Sequence, residues 1–161
     1  MYLDFSQKSE IQNLDQPFNE KQIHSNINAT IREYKREKMF LNSKNFQHPR
    51  SIDKNFQHIR HIVDLCEKHN ITLTLYISPV YYKHLKMFDD LHLAETYKYL
   101  KKELLKIHPY FDFGTLNSVT KNFKNFRDSS HTIRSIGTLI FTKIFDSNNT
   151  SVPTDFGEFV F

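Results

Sequence analysis

Residues 71–80 read ITLTLYISPV, the strongest strand signal in the chain. β-Branched and aromatic side chains run almost without interruption until Pro79 stops them, as in a strand covered on both faces. The stretch predicts a central strand over 71–78, flanked by helices on each side of a parallel sheet.

The segments around it suit that role. Upstream, Ile59, Ile62, Val63 and Cys66 form the apolar stripe of a helix, with Asp53 or Asn55 as its cap. Asn70 stands where a left-handed terminating residue belongs. Residues 41–53 are polar, contain Pro49 and read as a loop. Before them, Asn19 to Phe40 contains neither Gly nor Pro, and Ile23, Ile27, Ile31 and Tyr34 recur at helical spacing. MYLDFS at the start reads as a short strand.

Downstream, Tyr97, Leu100, Leu104 and Ile107 mark a helix whose Lys98, Lys101, Lys102 and Lys106 face solvent. YFDFGTLN (110–117) reads as a short strand entering a turn. Ile133, Ile136, Gly137, Ile140, Phe141 and Ile144 give the last helix, and 147–161 is left as a tail. The alternation predicts one α/β domain over 1–161, with ligand chemistry at the carboxyl ends of the strands.

Composition agrees with a folded domain. The 161 residues include 15 Phe and 8 Tyr but only 3 Gly and 5 Pro, which disfavours a turn-rich β-sandwich. The net charge is +4, but the 22 basic residues are interleaved with 18 acidic ones, so no nucleic-acid partner is expected. No apolar run is long enough for membrane insertion, and the N-terminus lacks the basic-then-apolar order of a signal peptide. Cys66 is the sole cysteine, which excludes an intrachain disulfide and leaves the compartment open. His58, His61, Cys66 and His69 share one helix, but the two pairs start roughly 12 Å apart along its axis. Zinc ligands must converge at roughly 2.0–2.3 Å, so no metal site is expected.

NFRDSSHTIRSIG (125–137) carries the chemistry-bearing pattern. Histidine is the natural general base near neutral pH, and Asp128, three residues before His131, can accept its second ring N–H and fix the tautomer. A simpler alternative is that Asp128, Ser129 or Ser130 caps the helix that follows.

This block resembles the last motif of the SGNH, or GDSL-like, hydrolases, in which Asp-x-x-His supplies the acid and base of a Ser-His-Asp triad. ITLTLYISPV and YFDFGTLN resemble the two strands that precede it in that family. The run through the terminal DFGEFVF resembles bacterial SGNH-like proteins encoded with cell-surface polysaccharide genes. The resemblance implies a three-layer α/β/α fold of flavodoxin-like topology, with Asp128 and His131 as catalytic residues. It also implies O-acyl, chiefly acetyl, hydrolysis or transfer on a polysaccharide at the cell envelope, without cofactor or metal.

The nucleophile block does not match. No Gly-x-Ser is present, because the glycines are 114, 137 and 157. Against the family pattern the chain reads as the C-terminal part of the domain, incomplete on its N-terminal side and inactive alone. Ser78, Ser129 and Ser130 are local alternatives without evident oxyanion donors. Two partners are expected: the missing serine-bearing half, or a second copy joined through an exposed sheet edge. The rival expectation is a binding or accessory module that keeps the fold without the chemistry.

Overall fold

The computed structural model of the protein describes residues 19–40, 50–146 and 148–161. The strand expected in MYLDFS and residues 41–49 of the loop expected over 41–53 lie outside the described residues.

Helix α1 (Glu20–Phe40) starts at a reciprocal cap. The Gln22 N–H donates to Asn19 Oδ1 at 2.9 Å, and the Asn19 N–H to Gln22 Oε1 at 3.3 Å. The helix buries Ile23 and Ile27 and rests Ile31 on the same cluster. Helix α2 (Arg50–Lys68) begins earlier than the sequence suggests, so the expected loop does not reach 50–53. Asp53 therefore lies in the first turn rather than at the cap. Phe56 and Val63, two turns apart, supply its buried face, while Ile62 is exposed. Asn70 ends the segment with a φ of 54°, the left-handed conformation expected of it.

Only Leu75–Ile77 of the 71–80 stretch pairs as a strand, β1. Helix α3 (Tyr82–Asp90), which the periodicity did not suggest, and α4 (Ala94–Leu105) lead to β2 (Tyr110–Asp112). A one-turn helix α5 (Ser118–Lys121), a 3₁₀ turn (Phe123–Asn125) and helix α6 (Arg134–Phe145) precede β3 (Glu158–Val160).

The sheet is small and mixed, in the order β1-β2-β3. β1 runs parallel to β2, with Tyr76 opposite Phe111, and β3 runs antiparallel to β2, with Phe159 opposite Phe111. Two expectations are thereby corrected: the pairing is not all parallel, and among the described residues the 71–78 stretch is not central. Among the described residues β2 holds the centre, and β1 has an unpaired outer edge. The cause lies at the C-terminus. Val152 and Phe156 bury against Phe113, Ile136 and Ile140, and Gly157 then turns the chain at a φ of 79°. β3 thus falls antiparallel on the free side of β2. The segment read as a tail is a core element.

Side chains alternate across the sheet. Leu75, Ile77 and Tyr110 meet Phe56 of α2 and Leu104 of α4 on one face. Phe111 and Phe113 meet α6 on the other. The architecture is α/β, with a sheet far smaller than a full three-layer fold. Lys101 departs from the solvent-facing lysine row, because its ammonium lies 2.6 Å from the buried carboxylate of Asp112. The same carboxylate accepts the Gly114 N–H at 2.9 Å, which satisfies both of its oxygens. On α6, Ile136 and Ile140 are buried as expected, whereas Phe141 faces outward. Among the described residues no helix is long and apolar enough to cross a membrane.

Candidate active site at the carboxyl end of β1

The loop between the 3₁₀ turn and α6 is tied at its base. Phe126 and Thr132 form an isolated antiparallel bridge, and the Arg127 N–H donates to the His131 carbonyl at 2.8 Å. Phe126 is fully buried against Tyr81. Residues 127–131 are therefore a short excursion on a fixed stem.

Asp128 organises the excursion. Its Oδ1 accepts the Ser130 N–H at 2.8 Å and the His131 N–H at 2.7 Å, closing an Asx-type turn. Its Oδ2 lies 2.7 Å from His131 Nδ1. That distance assigns the proton to Nδ1 and leaves the Nε2 lone pair for an incoming proton. The His131 side chain is 75% exposed, so Nε2 is accessible. Partial burial pushes the Asp128 carboxyl up, but the Ser130 N–H, the His131 ring and the His131 N–H outweigh it. The net effect holds the group below its ordinary value and keeps it ionised beside the ring.

The capping alternative is not what this loop does. Ile133 occupies the N-cap of α6, and no side chain caps that helix. Asp128 caps its own turn instead.

The loop faces a cleft of about 530 Å³. One wall is Tyr76, Ser78 and Pro79 at the carboxyl end of β1, and the other is α6 at Gly137 and Ile140. Arg127, Asp128, Ser130, His131 and Thr132 line it from the loop. Asp128 and His131 thus stand where the sequence placed them, in a loop at the carboxyl end of a sheet strand.

The three serines differ in position. The Ser130 hydroxyl lies 3.3 Å from Asp128 Oδ1 and 3.4 Å from His131 Nδ1, on the carboxylate side of the ring rather than beside Nε2. The Ser129 hydroxyl turns away, 3.0 Å from His84 Nδ1. Ser78 shares the cleft with His131, but its hydroxyl enters no hydrogen bond among the described residues.

His84 is the residue that sequence reasoning missed. It lies on α3 in no recognisable motif, and only the fold brings it to Ser129. Burial pushes its imidazole down, partly countered by the Asp128 charge. Beside it, the Tyr81 N–H donates to the Ser129 carbonyl at 3.0 Å, so Ser129 is held through both side chain and backbone. Tyr81 is itself buried, and its hydroxyl donates to Glu20 Oε1 of α1 at 3.0 Å. Burial and the Glu20 carboxylate push that phenol above its ordinary range.

Among the described residues no cluster of three or more His, Cys, Asp or Glu side chains has the geometry to hold a metal ion. The chain matches no family model, no curated protein and no solved structure.

Proposed function

We propose that this chain carries the acid–base part of a serine-type O-acyl esterase or acyltransferase acting on a polysaccharide, of SGNH-like ancestry. The observation that supports it best is the 2.7 Å contact between Asp128 Oδ2 and His131 Nδ1, at the wall of an open cleft that both residues line. A base oriented this way withdraws a hydroxyl proton at Nε2 while Asp128 stabilises the resulting imidazolium. The same ring then returns the proton to the leaving alcohol. The nucleophilic serine would come from a partner portion, and the edge of β1 that is unpaired among the described residues suits the addition of strands. In this reading the complete domain would have the three-layer form.

The test is turnover of p-nitrophenyl acetate. The isolated chain should hydrolyse it no faster than its His131→Ala variant, because general-base help of roughly 10²–10⁴-fold needs a nucleophile to act on. A polypeptide bearing Gly-x-Ser should restore activity that requires both Asp128 and His131. Activity of the chain alone, lost on Ser78→Ala or Ser130→Ala, would place the nucleophile here instead. Restored activity indifferent to Asp128→Asn would remove the dyad from the chemistry.

The second reading is a non-catalytic binding module. It is favoured by the structural duty of Asp128, whose Oδ1 closes the turn whether or not His131 acts as a base. Indifference of a restored activity to both residues would favour it.

A further inference from the structure

The cleft contains a cation that the acid–base reading does not use. Arg127 lines it directly beside the dyad, yet among the described residues its guanidinium enters no ion pair. Asp128 is not available to it in the ordinary way. That carboxylate already receives the Ser130 and His131 N–H groups on one oxygen and the imidazole on the other. Apart from the His131 ring, the remaining polar side chains on the walls, from Tyr76, Ser78, Ser130 and Thr132, are hydroxyls. Arg127 as a residue is partly buried, and a cation at the wall of a cleft with no counter-charge favours an anionic ligand.

We infer that the cleft binds an anionic group, a carboxylate or a phosphate, on the fork of Arg127. Arginine is suited to this because its planar donors match both groups in a bidentate way. This rests on the acyl-transfer reading for its biological meaning: the substrate would be an acidic polysaccharide carrying uronate or phosphate close to the ester. The binding itself does not depend on that reading. Arg127 holds the anion, while His131 addresses the neighbouring ester oxygen.

The experiment is a nuclear magnetic resonance titration of the whole chain, following the Arg127 Nε–H and the His131 ring. The probes are inorganic phosphate and glucuronate, with glucose as the uncharged control and sodium chloride at matched ionic strength. Saturable shifts with one or both anions, absent with glucose and chloride, are expected. Phosphate alone would identify a phosphorylated sugar, and glucuronate alone a uronate. Arg127→Gln should weaken the binding about ten- to hundredfold, the range of a lost charge-assisted hydrogen bond. Arg127→Lys should retain part of it. Shifts of equal size in Arg127→Gln, or none beyond those of chloride, overturn the inference. Asp128→Asn separates the two claims, since it breaks the dyad but removes a negative charge from the cleft, so anion binding should persist or tighten while any restored acyl transfer is lost. Anion binding without any restorable acyl transfer keeps the inference and removes the enzyme reading. Restorable transfer without anion binding does the reverse.

Discussion

The 71–80 stretch and the last ten residues exchange the roles that their compositions suggest. ITLTLYISPV carries no charged residue, yet Ile71 is 59% exposed and Tyr76 45% exposed. VPTDFGEFVF is broken by Pro, Asp, Gly and Glu, yet Phe156 is completely buried. The difference lies in neighbours. Phe156 meets Phe113 at a ring separation of 4.8 Å within a cluster that also holds Val119, Ile136 and Ile140. Ile71 precedes the paired part of β1 and has no comparable shell. Hydrophobic density shows that a segment can be buried, but topology decides whether anything arrives to bury it.

The comparison breaks most visibly by deletion. Removing residues 152–161 takes away β3 and both buried anchors, and the product should show no cooperative unfolding transition in urea. Retention of that transition would mean that the C-terminal segment is dispensable after all. Next in size, Phe156→Ala should cost about 3–5 kcal/mol, as large-to-small changes at buried aromatics do. Gly157→Ala follows at roughly 2–4 kcal/mol, combining a left-handed backbone penalty with overpacking. A Cβ at that position would run into the Phe113 ring. At the other pole, Ile71→Ala should cost under about 1 kcal/mol, as exposed substitutions do. Equal urea midpoints for the Ile71 and Phe156 variants would contradict the assignment of core and edge.

What could be read in advance follows the same division. The stripe of α1, the left-handed Asn70 and the β2 segment were legible because each depends on local pattern or backbone preference. The Asp128–His131 contact was legible for a related reason, since three residues in a turn bring the two side chains together with no help from the rest of the fold. The antiparallel pairing of β3 on β2 was hidden, because a strand's own residues do not encode what pairs beside it. So was the ion pair of Lys101 with Asp112, where a lysine on a polar helix face meets a carboxylate eleven residues away. The approach of His84 to Ser129 spans 45 positions and has no sequence signature.

The smallest effects should appear in the pH dependence of stability. The His84 imidazole is pushed down by burial, so the unfolded chain binds its proton more readily than the folded one. Its contribution is present above the ordinary imidazole range and is lost as the pH falls through the folded value. Asp128 is held low as well, so its contribution is present above the ordinary carboxylate range and lost on further acidification. Urea midpoints measured across the acid range should therefore fall in two stages. His84→Gln should remove the first stage, and Asp128→Asn should reduce the second, which the likewise lowered Asp155 shares. Stability that rises on acidification would reverse both signs.

The hydrogen bond from the Tyr81 N–H to the Ser129 carbonyl gives the molecule an internal clock. Tyr81 is only 1% exposed, so its amide can trade a proton for deuterium only when that bond opens and solvent reaches it. The acceptor belongs to the excursion that carries His131. Each exchange event at Tyr81 therefore records one departure of the site loop from α3. With deuterated solvent and a single amide resonance, the lifetime of the assembled site can be read without substrate. Weakening the second tether by Ser129→Ala should make that one amide exchange faster while the amides of α6 keep their rates. A change shared by all of them would mean that the loop and the helix open as one body.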